Sequence, residues 1–300
     1  MRVLHITDLH VQRPPRLIDL VTGPKRIIGA VNLYLLGRRA HFSAVVQQAL
    51  VQTAEDLRPD VVVCTGDVTA IATDDEFEAA RTLLRPLLER QPFVLLAGNH
   101  DTYVREAHPG ANMRRWFGPW MGPRGARLQR VGEAGFLTVE TCRAHLTSRG
   151  HTPPGELERA ATLLDTLGMR SRTPEEEGLF VFWCQHYPLR GRGGAPYGPA
   201  TRCLADAAEV EAVLAVRPEV SAVLHGHEHH GYRAAVTGPR GPIPTLNPGA
   251  SGYASLPKRR RTAHFCVYDV EGGQLKGVER YAWDGARFAP EAGGAFASGG

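Results

Sequence analysis

The sequence has few cysteines, no CxxC pair and no long uncharged apolar run. Its five cysteines are Cys64, Cys142, Cys184, Cys203 and Cys266. Because they are odd in number and scattered, they argue against a disulfide framework and predict reduced, mostly buried thiols. The lack of an apolar run of about 20 residues argues against a membrane-spanning helix. The first strand-like run begins at Arg2 and leaves no room for a signal peptide, so we expect a cytoplasmic protein.

Net charge and length indicate which partners and which domain organisation to expect. A net charge of +4 suits an anionic substrate but is too weak to indicate nucleic acid as a partner. With 300 residues, 43% of them hydrophobic, the chain can form one substantial core. The sequence contains no internal repeat and no evident linker. It therefore predicts a single domain over residues 1–284, with an insert at residues 11–41 and a tail without fixed structure at residues 285–300.

Strand-like and helix-like segments alternate along most of the chain. The strand-like runs are Arg2–Thr7, Val61–Thr65, Phe93–Ala97, Leu179–Gln185 and Val220–Leu224. Helical periodicity predicts helices near Phe42–Leu57, Asp75–Arg90, Glu156–Leu167 and Leu204–Ala215. We expect Tyr103–Arg130 to be a long loop with one short helix, and antiparallel strands after the fifth run. This alternation predicts an α/β fold, in which the carboxyl ends of parallel strands build the site.

A short polar motif with metal-binding side chains follows each of the five runs. The motifs are Asp8-Leu9-His10, Gly66-Asp67, Gly98-Asn99-His100-Asp101, His186 and Gly226-His227-Glu228-His229. Each motif alone is typical of a turn or a strand end, but their order along five strands predicts a joint metal site. The candidate ligands are Asp8, His10, Asp67, Asn99, His186, His227 and His229.

The chemistry of these seven side chains limits the choice of metal ion and the type of reaction. Asp8 and His10 are two residues apart at a strand end, so both side chains leave from the same face. Asp67 has two carboxylate oxygens, enough to bridge two cations. Mixed nitrogen and oxygen ligands suit Mn, Fe or Zn better than Ca or Mg. Two such ions about 3.5–4 Å apart stabilise phosphoryl displacement, and water shared between them is hydroxide near neutral pH.

The order of the motifs resembles that of the calcineurin-like metallophosphoesterase superfamily, in particular its bacterial cyclic-nucleotide phosphodiesterases, whose pattern runs DxH, GD, GNH(D/E), H, GHxH. The resemblance implies a four-layer α-β-β-α sandwich of mixed sheets over roughly residues 1–284. It implies two divalent or mixed-valence metal ions. The implied ligands of the first are Asp8, His10, Asp67 and His229, and those of the second are Asp67, Asn99, His186 and His227.

The same resemblance implies that His100 is the general acid that protonates the leaving oxygen, oriented by Asp101. A histidine beside a carboxylate is expected to stay cationic near pH 7. Ala70 departs from the pattern, since many members carry an aspartate there, and this bears on the substrate class more than on metal binding. Asn247–Ser251 resembles a loop of several superfamily phosphodiesterases, although its turn residues would equally suit a plain hairpin.

The favoured function is hydrolysis of small phosphodiesters, cyclic nucleotides among them, by a metal-bridging hydroxide. The alternative is a pyrophosphatase of a UDP-linked acyl sugar at the membrane surface. Lys25–Arg39 motivates it, because an apolar core lies there between two basic pairs. That segment is an interfacial membrane contact, a flap over the site, or an ordinary packed helix. A DNA nuclease lacks support from any added basic domain, and the complete ligand set argues against a metal-free scaffold.

Overall fold

A computed structural model describes residues 1–169, 179–256 and 261–291. The strands are β1 (Arg2–Ile6), β2 (Val61–Cys64), β3 (Phe93–Leu95), β4 (Arg127–Val131), β5 (Ala134–Thr138), β6 (Phe180–Cys184), β7 (Val220–Leu224), β8 (Tyr232–Val236), β9 (Ile243–Asn247), β10 (His264–Glu271), β11 (Gln274–Trp283) and β12 (Phe288–Pro290). The α-helices are α1 (Leu17–Val21), α2 (Pro24–Ala30), α3 (Ala44–Leu57), α4 (Asp74–Arg90), α5 (Ala111–Met121), α6 (Glu156–Met169) and α7 (Ala207–Leu214).

The strands form two six-stranded mixed sheets. The first has the order β12-β11-β10-β1-β2-β3, and the second has the order β4-β5-β6-β7-β9-β8. β1, β2 and β3 run parallel, as do β5, β6, β7 and β9, whereas the remaining pairings are antiparallel. Parallel strands end at the same edge of their sheet, so the residues that follow them are brought together.

The core lies in three apolar layers. The inner faces of the two sheets pack on each other through residues such as Val63, Phe182 and Tyr268. α3, α4 and α5 cover the outer face of the first sheet, and α6 and α7 cover that of the second. Central strands such as β2 and β6 are buried along their whole length, which explains their unbroken apolar sequences. The predicted four-layer α-β-β-α sandwich is therefore confirmed.

Edge strands and the carboxyl-terminal boundary differ from the sequence prediction. β4 lies inside the segment predicted as a loop, and β9 runs parallel to β7 although antiparallel strands were expected there. β12 pairs with β11, so residues 285–291 are part of the domain and the predicted tail begins too early. Residues 292–300 of that tail lie outside the described residues.

The insert at residues 11–41 folds as four short helical turns on the first sheet's side of the site. α1 and α2 are followed by a π-helical turn, Val31–Leu35, and a 3-10 turn, Arg38–His41. The buried Arg26 side chain fixes α2, because Nε and Nη1 donate to the carbonyl oxygen of Ile71 (3.1 Å) and to Oγ1 of Thr22 (2.6 Å). Among the described residues no helix is long and apolar enough to cross a bilayer.

Candidate metal centre

The five motif-bearing loops meet at one end of the two sheets. The backbone N–H of Asp8 donates to the oxygen of Gly66 (2.9 Å), and that of His10 donates to the oxygen of Asp67 (3.0 Å). In the second sheet, the N–H of Gly226 donates to the oxygen of His186 (3.0 Å). These bonds extend the parallel pairing beyond the strand ends, so the ligand-bearing residues inherit the register of the sheets.

Four of the candidate ligands have a left-handed backbone conformation, which is rare for residues other than glycine. The φ angles are 52° at Asp8, 48° at His10, 55° at Asp67 and 69° at His227. Such strain persists only where the surrounding structure determines the conformation, and it concentrates at functional sites. Here it turns the side chains away from their strands and towards one another.

Close approach of the loops explains the glycine of the third motif. A Cβ atom at Gly98 would lie 2.1 Å from Oδ1 of Asp67 and 2.3 Å from its backbone nitrogen. No side chain fits in that space. The glycine is therefore required by contact between two metal-binding loops.

Asp8, His10 and His229 form the first group of candidate ligands. Nε2 of His229 lies 3.3 Å from Nε2 of His10. Oδ1 of Asp8 lies 3.6 Å from the His229 nitrogen and 3.8 Å from the His10 nitrogen. Oδ2 of Asp8 accepts from Thr7 Oγ1 (2.8 Å) and from the His227 N–H (3.0 Å), whereas the buried Oδ1 has no hydrogen-bond partner in the described part of the chain. A buried carboxylate oxygen facing two imidazole nitrogens is a set of donors that fits a cation.

Asp67, Asn99, His186 and His227 form the second group. Nε2 of His186 lies 3.4 Å from Oδ2 of Asp67 and 3.1 Å from Oδ1 of Asn99, and Nδ1 of His227 lies 2.7 Å from the same Asn99 oxygen. The Thr65 carbonyl can only accept a hydrogen bond, so Nδ1 of His186 (2.7 Å) carries the proton and Nε2 faces the site. Oδ2 of Asp67 is also 3.7 Å from Nε2 of His10, which places this carboxylate between the two groups.

The charges of the two groups are strongly coupled. Burial alone would raise the pKa of Asp67, but nearby histidines, His186 first, hold it well below its usual value. Burial opposes a charge on His186, yet the Asp67 carboxylate raises the pKa of this histidine to about 9. Burial lowers the pKa values of His227 and His229, so these rings are neutral and able to ligate a metal at pH 7.

His100 and Asp101 are in the site, but their predicted relation is wrong. Nδ1 of His100 faces the carbonyl oxygen of Ala70 (2.5 Å), and its backbone N–H donates to Oδ1 of Asp67 (2.7 Å). Asp101 does not orient the ring, because its carboxylate accepts from Thr69 Oγ1 and from the N–H groups of Thr69 and Gly98, each at 2.9 Å. Asp101 thus ties the Asp67 loop to the turn after β3.

The protein surroundings of His100 do not favour the cationic ring that the sequence led us to expect. Burial lowers the pKa of His100 to about 3, and the charge of Asp67 offsets only part of that effect. The ring is therefore neutral at pH 7. Because Nδ1 carries the proton donated to Ala70, Nε2 is left with a lone pair.

The loop at Asn247–Ser251 supports the histidine motif from behind. The Asn247 amide donates to the carbonyl oxygens of Gly226 (3.2 Å) and Glu228 (2.9 Å). The N–H of Ser251 donates to the oxygen of Thr7 (2.8 Å). This loop therefore braces the turns that carry Asp8 and His227.

A cavity of about 470 Å³ opens over the two groups of ligands. Its walls are formed by Arg38, His41, Asp67, Asn99, His100, Ser148, Arg202, His227, Glu228, His229, Tyr253 and Arg261. The sequence did not predict Arg202, Tyr253 or Arg261 as site residues. Tyr253 carried a signal, since it closely follows the Asn247–Ser251 loop. Arg261 carried one as well, because it ends a run of four basic residues that suits either a solvated hairpin tip or a phosphate contact. Arg202 lies in a separate loop without a motif.

Comparison with known proteins agrees with this arrangement. The model of the calcineurin-like phosphoesterase family matches residues 1–231. The chain belongs to the calcineurin-like phosphoesterase family. Proteins of this family typically bind two metal ions, and the described residues of this chain include groups of histidine and aspartate side chains that could hold them. The comparison with curated proteins finds no match.

Solved structures share the fold at low sequence identity. The purple acid phosphatase PPD1 from yellow lupin (Lupinus luteus) seeds is 12% identical, with a TM-score of 0.61 over 96% of this chain. The chain spans about half, 52%, of that protein. A dimetal phosphatase from Danio rerio is 11% identical, with a TM-score of 0.54 over 96% of this chain and 98% of its own length. These likenesses establish the fold.

We expect Asp67→Ala to abolish binding of both metal ions, because the carboxylate lies within reach of both groups of histidines. Metal content after reconstitution with Mn²⁺, measured by atomic emission, should fall from two equivalents to near zero. Asp269→Ala, an exposed carboxylate on β10, is the matched control and should keep two equivalents. Retention of one tightly bound ion by Asp67→Ala would show that the carboxylate does not bridge.

We expect Asp101→Asn to lower the free energy of unfolding by about 2 kcal/mol, since an amide nitrogen replaces an oxygen that accepts buried N–H groups. Urea denaturation of the metal-free protein measures this change. Asp56→Asn, on the exposed face of α3, should change stability by less than about 0.5 kcal/mol. Unchanged stability with reduced turnover in Asp101→Asn would instead restore a role in orienting His100.

Proposed function

We propose that this protein is a phosphodiesterase whose seven predicted ligands hold two metal ions of the Mn, Fe or Zn type. The position of Asp67 between the two groups of histidines is the observation that supports this most strongly. Two ions bound there would withdraw electron density from the phosphoryl group and make water a nucleophile near neutral pH. All seven side chains except His229 are buried, which limits competition from solvent.

We assign the role of general acid to His100. It lines the cavity beside Asp67 and Asn99. Because its Nδ1 is hydrogen-bonded to the carbonyl oxygen of Ala70, Nε2 is the atom that can exchange a proton with the substrate. A bound phosphoryl group adds negative charge beside the ring, which favours its protonated form. The assignment depends on this position and not on the charge of the ring in the metal-free protein.

Two further features support the proposal. One bears on the class of substrate and the other bears on the cell compartment. The Asn247–Ser251 loop resembles that of superfamily phosphodiesterases and braces the histidine motif. All five cysteines are free and four are buried. Free thiols favour the cytoplasm, where we propose that the protein acts.

We expect His100→Ala to keep both metal ions while kcat for a dialkyl phosphate falls by about 100-fold or more. The loss should be much smaller for bis(p-nitrophenyl) phosphate, because p-nitrophenolate leaves without protonation. His108→Ala, in the loop before α5, controls for the loss of an imidazole. Loss of metal from His100→Ala would make His100 a ligand, since its ring also lies within 4.8 Å of ligand atoms of His10 and Asp67.

A second candidate is a pyrophosphatase of a UDP-linked acyl sugar. Arg38, Arg202 and Arg261 line the cavity, which supplies more positive charge than one diester group needs. The exposed apolar side chains of the adjacent insert would suit an acyl chain. This candidate differs from the first in its substrate and not in its metal chemistry.

These functions can be separated by measuring how fast the Mn²⁺-loaded protein turns over four substrates. We expect kcat/KM for bis(p-nitrophenyl) phosphate to exceed that for p-nitrophenyl phosphate by about tenfold or more, with cyclic AMP tested as the natural diester. A large preference for a UDP-linked acyl sugar would favour the second candidate. Inactivity towards all four with two bound metal ions would contradict both and support an inert scaffold.

A further inference from the structure

The outer side of the insert exposes an unusual amount of apolar surface. Eight of the eleven large hydrophobic side chains that are exposed in the described residues lie between residues 17 and 36. They are Leu17, Ile18, Val21, Ile27, Ile28, Val31, Leu35 and Leu36. Leu17 and Leu35 are 84% and 77% exposed. A concentration of this kind marks an interaction surface, whereas scattered exposed residues would not.

The inner side of the same segment is fixed on the domain. Arg26 is buried and donates to the carbonyl oxygens of Ile71 and Ala72. Gly29 lies so close to Tyr103 that an added Cβ would be 2.7 Å from its hydroxyl oxygen. Leu33 is buried in the core cluster of the first sheet. With one side held by these contacts, the segment cannot turn its apolar side inward.

Positive charge is concentrated in the insert. Residues 11–41 contain six basic side chains and one acidic side chain, a net charge of +5 that exceeds the +4 of the whole chain. The acidic residue, Asp19, is buried and accepts a hydrogen bond from Nε of Arg16 (3.2 Å). Arg13, Arg38 and Arg39, which precede and follow the apolar side chains in the sequence, are exposed. The surface therefore combines apolar and cationic groups without an exposed carboxylate of its own.

The insert also borders the metal centre. Arg38, in its last turn, lines the cavity over the ligands. Phe42, directly after the insert, packs against His10 with ring centroids 4.3 Å apart and the ring planes tilted by 46°. A surface bound by the insert would consequently lie close to the mouth of the cavity.

We propose that the outer side of the insert, residues 17–36, binds the surface of an anionic lipid bilayer and that the cavity hydrolyses phosphoesters presented at that surface. Short helical turns with exposed apolar side chains, flanked in the chain by exposed basic residues, suit the interface between headgroups and acyl chains. A symmetric dimer through this side would bring the exposed arginines of two inserts together without an exposed carboxylate of either insert between them, so like charges oppose it. Membrane binding depends on the insert alone, whereas hydrolysis there rests on the proposed function.

Co-sedimentation of the full-length, Mn²⁺-loaded protein with vesicles tests the binding. We expect partitioning onto phosphatidylglycerol-containing vesicles about tenfold or more above that onto pure phosphatidylcholine, falling as salt is raised. Leu35→Glu with Leu36→Glu should lower partitioning by about tenfold or more, and should leave turnover of bis(p-nitrophenyl) phosphate in solution unchanged. Val216→Glu, an exposed apolar residue after α7, is the matched control and should bind like the unmodified protein.

Three results would overturn the binding proposal. The first is that the unmodified protein does not sediment with anionic vesicles, and the second is that the Leu35→Glu, Leu36→Glu variant binds them equally well. The third is that the unmodified protein is a dimer in sedimentation velocity and the variant is a monomer. Vesicle binding without turnover of any phosphoester would instead refute the proposed function and leave the membrane contact in place. Turnover without vesicle binding would refute the membrane contact and leave the proposed function in place.

Discussion

Burial of a carboxylate among histidines, where the two sheets meet, is the constraint on which the site depends. Asp67 follows β2 of the first sheet, and its Oδ2 lies 3.4 Å from His186 of the second sheet. A buried charge of this kind is costly unless it is compensated. Among the side chains the protonated His186 compensates it, and bound cations would take over that role. Metal affinity and folding stability are therefore coupled through the same few atoms, because ligands must lose protons as metal binds.

The backbone conformation of the loops follows from this constraint. Left-handed residues at Asp8, His10, Asp67 and His227 are unfavourable, and each lies directly beyond a strand whose pairing is fixed by the buried layer between the sheets. Hydrogen bonds from one loop to the next, such as those accepted by Asp101, keep the strained turns in place. The stability of the sandwich thus maintains the geometry of the site. This explains why residues that touch no candidate ligand, such as Asn247, are still part of its support.

The central strands and the convergence of the seven candidate ligands could be predicted from the sequence, for a physical reason. Central parallel strands are buried on both faces, so their apolar runs are unbroken and the polar residue after each run marks a strand end. Edge strands lack this signal, since β4 and β8 are partly exposed and mix polar with apolar residues. The partners of His100 and Asp101 could not be predicted either. Several of them, such as the Ala70 carbonyl oxygen and the Thr69 N–H, belong to the neighbouring loop after β2. The direction of a side chain within a turn depends on such tertiary contacts, which no local pattern records.

The insert shows why an apolar segment can be misjudged from its composition. For Lys25–Arg39 the sequence left a packed helix, a flap and a membrane contact open. Ordinary packing would bury the aliphatic side chains and expose the basic ones, yet Arg26 is buried while Ile27, Ile28 and Leu35 are exposed. The carbonyl oxygens of Ile71 and Ala72 explain this inversion, because they need donors that an aliphatic side chain cannot supply. Polar anchoring on the inner side therefore leaves the aliphatic side chains to the outside, where a lipid surface would remove them from water.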